Sequence, residues 1–300
     1  MKLTRFACAT VFGMGLMGAA SSAFATNADC PNGGTVRFGI EPYEAGATLA
    51  PIFQDLGKLI AQKLDCNVET YVTTSYNAEI EAMRAGKLEF GEFGPLGYVL
   101  AHQVANAQAI ATFTDSSGTV PDTYTASIVT WPDSGIKELK DVAGHSFAFS
   151  DPASTSGHLF PAYGLQKGGI DPDKGVKGIY AGSHTASYEA IKNHKVDAGE
   201  LNSEMITAAT AQNNYDPKNF VTLWKSDPIP VDPIAVRGDL PEPFKTRLTQ
   251  VLQNLDLTSL ATAQRKHLMG TGPKTISTTD SAYNLVRDLI DTLHVDLAKL

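Results

Sequence analysis

The chain has 300 residues, with 24 Lys and Arg against 32 Asp and Glu, a formal charge of −8 and an apolar share of 43%. An acidic chain lacks the basic footprint of nucleic-acid binding, which excludes that class of partner. Its length holds one large domain or two modest ones.

Residues 1–25 open with Lys2 and Arg5, run through the apolar stretch FACATVFGMGLMGAA and end in Ala23-Phe24-Ala25, an A-x-A cleavage pattern. This is a secretory signal peptide, its apolar core being shorter than the ~20 residues of a membrane-spanning helix. Cys8 lies at the start of the apolar stretch instead of just after it, which argues against a lipoprotein signal. Cleavage takes the formal charge from −8 to −10 and leaves a free, exported protein. Cys30 and Cys66 then remain, and they are expected to pair because disulfides persist outside the cytoplasm.

Beyond the signal, short strands and helices alternate. TVRFGI (35–40) is β-branched and aromatic, and residues 47–64 place Leu49, Ile52, Phe53, Leu56, Leu59, Ile60 and Leu64 at helical spacing. NVETYVT reads as a second strand, YNAEIEAMRAG as a helix closed by Gly86, and LEFGEFG as a third strand. A β-α-β-α-β order favours an open α/β sheet with ligands at the carboxyl ends of its strands. Toward the C-terminus, FKTRLTQVLQNL and residues 281–294 read as amphipathic helices packed on the first half.

The stretch TSYNAEIEAMRAGKLEFGEFG (74–94) returns as GSHTASYEAIKNHKVDAGELN (182–202), with seven of 21 positions identical at an offset of 108. EPYEAGATLAP (41–51) and DPASTSGHLFP (151–161) repeat an acid-Pro start and a Leu-x-Pro end at an offset of 110. The chain therefore reads as two related α/β halves. Facing each other, they aim their strand ends and helix starts into one cleft. Ser154, Thr155 and Ser156 supply hydroxyl donors there, with helix-start N–H groups behind them, and a compact oxyanion fits such a cage. Because Pro161 is best tolerated in a first turn, regular helix is expected to begin close to Gly157.

Other motifs carry less. In GHSFA, Ser146 leads into a strand instead of ending one before a helix, unlike a nucleophile elbow. GTGPKT lacks phosphate-loop spacing and reads as a turn. The seven histidines are scattered without H-E-x-x-H or C-x-x-C, so no metal or cofactor is expected.

The segments TSYNAEIEAMRAGKLEFGEFGPLGYVLA, SDPASTSGHLFP, GSHTASYEAI and WKSDPIPVDPIAVR resemble the periplasmic binding proteins of phosphonate and phosphite ABC transporters. The resemblance runs from about Val36 to about Arg237, and its D-P-x-S-T-S-G core is specific. It implies a type II periplasmic binding protein without enzymatic activity: two open α/β lobes, residues 26–120 with 230–300 and residues 121–229, joined by two crossover strands. It places phosphonate oxygens against Ser154, Thr155, Ser156 and His184, with Tyr76 closing from the other lobe and Tyr124 packing on the ligand's carbon chain. Glu204 and Asp232 fall where members that take 2-aminoethylphosphonate present carboxylates to the ammonium. The implied ligand is 2-aminoethylphosphonate, with phosphite, methylphosphonate and phosphate as alternatives, and the implied partner is an inner-membrane ABC permease. A secreted phosphonate hydrolase would need a nucleophile or metal, and a sensor domain a membrane segment after the cleft; neither is evident.

Overall fold

A computed structural model of the chain describes residues 29–297, and the expected signal peptide lies outside them. The first half begins with β1 (Thr35–Ile40), α1 (Gly46–Leu64), β2 (Asn67–Val72), α2 (Tyr76–Arg84), β3 (Phe90–Glu92), α3 (Pro95–Ala105) and β4 (Gln108–Phe113). Helix α1 buries Leu49, Ile52, Phe53, Leu56, Ile60 and Leu64 along one face and ends at Asp65, whose left-handed backbone closes it. Gly57 lets this helix lie close on β2, since a Cβ there would meet the Thr70 methyl at 2.6 Å. Strand β3 is shorter than LEFGEFG suggested, because pairing with β1 involves only Phe90, Gly91 and Glu92.

The chain then crosses through β5 (Thr123–Tyr124) into β6 (Ala126–Thr130), β7 (Ser146–Phe149), a wide turn over Thr155–Leu159 and α4 (Phe160–Lys167). It continues through β8 (Lys177–Tyr180), α5 (His184–Lys192), β9 (Ala198–Asn202), α6 (Ser203–Ala211) and β10 (Val221–Lys225). The return is β11 (Ile229–Pro230), which pairs antiparallel with β5, followed by β12 (Pro233–Val236), α7 (Glu242–Leu252), β13 (Thr275–Ser277) and α8 (Asn284–Leu293).

Two sheets result, ordered β13-β4-β12-β3-β1-β2 and β10-β6-β9-β7-β8. In the first, β1 is parallel to β2 and β3 while β12 runs antiparallel beside β3; in the second, β7 is parallel to β8 and β9 while β6 runs antiparallel beside β9. The internal repeat is thus a repeat of structure. Ser75 and Ser183 cap α2 and α5 with nearly the same backbone angles, each hydroxyl accepting the N–H of the residue three places on.

Two elements depart from the sequence reading. Helical structure starts at Thr155, ahead of Gly157, as a wide turn capped by Ser154, because the Ser154 hydroxyl already accepts the Gly157 N–H. The last helix, α8, is not confined to the first half: its buried face of Val286, Leu289 and Ile290 packs on α3 and also on α4 and the turn before it.

Candidate functional site

Three successive hydroxyls line the second-lobe wall, and each has an acceptor position already occupied. Ser154 Oγ accepts the Gly157 N–H at 3.1 Å, Ser156 Oγ accepts from Asn202 Nδ2 at 3.1 Å, and Thr155 Oγ1 accepts the Leu96 N–H of the other lobe at 2.8 Å. A hydroxyl has one hydrogen to give, so an N–H held on its lone pair leaves that hydrogen free for a ligand. Gly157 is required here, because a Cβ at that position would lie 1.7 Å from Ser150 Oγ and 2.9 Å from His184 Cε1.

His184 begins α5, and its Nδ1 lies 3.0 and 3.1 Å from the two oxygens of Glu200 on β9. A carboxylate there accepts, so Nδ1 carries hydrogen, and Nε2 lies 3.3 Å from Ser154 Oγ, where it accepts the serine hydrogen or, carrying hydrogen itself, donates to a ligand oxygen. The His184 backbone N–H donates to the Tyr43 carbonyl at 3.1 Å, which with the Leu96–Thr155 bond ties the lobes together across the cavity. From the first lobe the Tyr76 hydroxyl interacts with Ser154, while Tyr124 at the crossover interacts with Ser156 and Thr155. Burial, reinforced by neighbouring carboxylates, keeps both phenols well above their ordinary pKa and therefore as O–H groups.

The opposite wall is acidic. Glu41 follows β1, Glu92 ends β3 and Asp232 precedes β12, and the register of these strands brings all three to one edge of the first sheet. Behind them Glu79 projects from α2, and all four carboxyl groups are buried, at 0 to 2% exposure. Burial, then the charge of Asp232, pushes Glu41 well above the usual carboxylate range. Burial and the Glu41 charge raise Glu92 to about 8, offset in part by its contact with Asp232. Asp232 is itself raised by burial and by Glu92. Among the described residues, Glu79 has no hydrogen-bond partner on either oxygen, Glu41 is approached only by the Gly94 N–H, and Glu92 only by Asp232, whose Oδ1 has no other partner.

Seven of the predicted residues, Tyr76, Tyr124, Ser154, Thr155, Ser156, His184 and Asp232, surround one small cavity, joined by Glu41, Tyr43, Gly94 and Met269. Glu204 does not line that cavity. It faces the adjoining one, which shares Tyr43, His184 and Met269, because it sits in the first turn of α6 beyond Asn202. Burial raises Glu204 to about 7. Cys30 and Cys66 form a disulfide as expected. Ser146 opens β7 and bonds Asp197 at 2.7 Å, on the strand's N-terminal side and away from the cleft. Sequence reasoning placed the loop from Glu41 to Thr48 near the ligand without assigning its contacts, and passed over Glu92 as a site residue. The usable signals were the glycines around Glu92 in FGEFG and the alignment of Glu92 with Glu200 in the repeat.

Comparison with known proteins places these features in a lineage. The chain is 28% identical over 235 residues to the phosphate-import protein PhnD of Mycolicibacterium smegmatis, covering 75% of this chain and 73% of that protein. It is 29% identical over 224 residues to the phosphonates-binding periplasmic protein of Escherichia coli, covering 73% of this chain and 65% of that one. The structure of PhnD1 from Prochlorococcus marinus in complex with methylphosphonate shares the fold, with a TM-score of 0.75, 23% identity, and coverage of 87% of this chain and 98% of that one. The model of the periplasmic substrate-binding proteins of phosphonate ABC transporters matches residues 38–283, and the chain belongs to that family.

Proposed function

We propose that the protein captures 2-aminoethylphosphonate in the periplasm and delivers it to an inner-membrane ABC permease. The observation that carries this reading is the pairing of a hydroxyl cage on one wall with Asp232, buried and short of partners, on the other. A compact oxyanion satisfies the cage. An isolated buried carboxylate is costly, and a cation beside it removes the cost. In this reading Ser154, Thr155, Ser156, His184 and Tyr76 hold the phosphonate oxygens, and Tyr124 packs on the carbon chain. Asp232 takes the ammonium, with Glu204 adding negative potential from the adjoining cavity. Residues 26–120 with 230–300 form one lobe and 121–229 the other, hinged where β5 and β11 pair.

One observation favours a second reading. With their protons on, Glu41 and Asp232 carry no charge, and a small uncharged substituent such as the methyl of methylphosphonate can face them. A thermal-shift panel of 2-aminoethylphosphonate, methylphosphonate, phosphite, phosphate and taurine separates the two, since a bound ligand raises Tm by mass action. The amino ligand is expected to give the largest shift. Methylphosphonate or phosphite in first place would overturn the assignment.

The cage itself has a separate test. Thr155→Ala and His184→Ala each remove a donor to the shared oxyanion, a bond to a charged group worth about 1.5 to 3 kcal/mol. Both substitutions are expected to weaken 2-aminoethylphosphonate and methylphosphonate alike in calorimetry. Parent-like affinity in either variant would remove that residue from the cage.

A further inference from the structure

The two halves differ in one respect that bears on the ligand's cation. The repeat aligns Glu92 with Glu200 and Tyr76 with His184, at the same places on β3 and β9 and at the starts of α2 and α5. In the second lobe the His184 Nδ1–H meets Glu200 at 3.0 Å. In the first lobe the corresponding helix start is Tyr76, which has no basic nitrogen, and Glu92 is met by Asp232 instead. Glu41 stands beside them, fully buried and lining the cavity, with no side-chain donor and only the Gly94 N–H approaching it.

These carboxylates are housed by design of the backbone around them. A Cβ at Gly97 would lie 2.2 Å from Glu41 Oε1, and one at Gly94 would lie 3.0 Å from Glu41 Oε2. Glu79 is fitted in the same way, 2.7 and 2.5 Å from where Cβ atoms at Gly39 and Gly91 would be. Side chains in place of these glycines would push the acids out of the recess. A recess shaped to hold ionisable groups that the protein leaves short of donors points to a donor brought by the ligand.

We propose that Glu41 is a second ammonium ligand opposite Asp232, and that Glu92 is a positioning residue that shares a proton with Asp232 until the ligand's cation displaces it. The proposal rests on the aminophosphonate reading and extends it to two residues and a proton. A primary ammonium fits, because unpartnered carboxylate oxygens need N–H hydrogens, which a quaternary ammonium lacks. The groups facing this subsite from the first lobe and the crossover are Glu41, Glu79, Glu92, Asp232, Tyr43, Tyr76, Tyr124 and Tyr283, and none is basic. From the second lobe Asp151, Glu204 and His184 face the same region, the last committed to Glu200. Burial and mutual repulsion hold the acidic cluster in its proton-bearing form near neutral pH. When the –NH₃⁺ group enters, it keeps its own protons and donates N–H bonds to the carboxylates, and the carboxyl proton it displaces passes to solvent.

Calorimetry of 2-aminoethylphosphonate and methylphosphonate, in two buffers of different ionisation enthalpy, tests this on the parent, Glu41→Gln and Glu92→Gln. For the parent, the amino ligand is expected to bind with net proton release and methylphosphonate without it. Glu41→Gln should weaken the amino ligand about tenfold or more and leave methylphosphonate within about twofold, which also shows that the variant is folded. Glu92→Gln gives Asp232 a fixed amide donor in place of a shared proton, so proton release should shrink and the pH profile of amino-ligand affinity should flatten. Absence of proton release in the parent, or equal changes for both ligands in Glu41→Gln, overturns the proposal. If the parent prefers the amino ligand and Glu41→Gln keeps that preference, only this subsite falls. A parent that prefers methylphosphonate overturns the aminophosphonate reading and the subsite together.

Discussion

Asp232→Asn is expected to cost 2-aminoethylphosphonate about 2 to 5 kcal/mol of binding free energy, more than a tenfold loss, while methylphosphonate binds at least as well as to the parent. The side chain keeps its shape and loses only the charge. Asp232 is buried at the cavity wall, where truncating one member of a hydrogen-bonded charge pair leaves the other without compensation. Methylphosphonate brings no cation, and the proton-bearing wall it faces carries little charge, so it loses nothing. Calorimetry of both ligands at one pH and salt concentration reads the difference. Equal losses would mean that Asp232 supports the fold or donates a proton to the phosphonate, and the ammonium role would be withdrawn.

Loss of the disulfide should produce the largest stability effect. Cys30 and Cys66 close a loop with a sequence separation of 36, tying the segment before β1 to the turn between α1 and β2. The loop-closure relation assigns such a link about 4 kcal/mol, by restricting the unfolded chain. Cys30→Ala/Cys66→Ala is therefore expected to lower the guanidinium midpoint by that equivalent, with ligand selectivity retained because neither cysteine lines the cavity. A loss below about 1 kcal/mol would show that the unfolded chain already holds these ends together.

Much of this architecture was legible because the chain writes it twice. The offset of 108 is the offset between α2 and α5 and between β3 and β9, and the serine caps that start those helices carry the same hydrogen bond. Ser154, Thr155 and Ser156 were readable for a related reason, since one capping hydroxyl is ordinary and three in succession are not. The acidic wall was harder to see. Glu79 in an amphipathic helix and Glu92 at a strand end look like solvent-facing residues, and local pattern gives no hint that Gly39 and Gly91 clear space for Glu79. Gly39 and Gly91 flank Glu79 only after β1 and β3 have been laid side by side. Which of the two adjoining cavities Glu204 faces was not legible, because its position depends on the turn between β9 and α6, and the direction of a first-turn side chain is set by that turn. The reach of α8 across both halves was likewise a tertiary matter, since an amphipathic face specifies burial without specifying a partner.

A crystal structure of the protein with 2-aminoethylphosphonate tests the central claim most directly. The phosphonate oxygens should lie within hydrogen-bond distance of Ser154, Thr155, Ser156 and His184 Nε2, and the ligand nitrogen should sit between Glu41 and Asp232. A ligand in the opposite orientation, with its nitrogen directed away from the acidic wall, or a cavity left empty at saturating concentration, would contradict it.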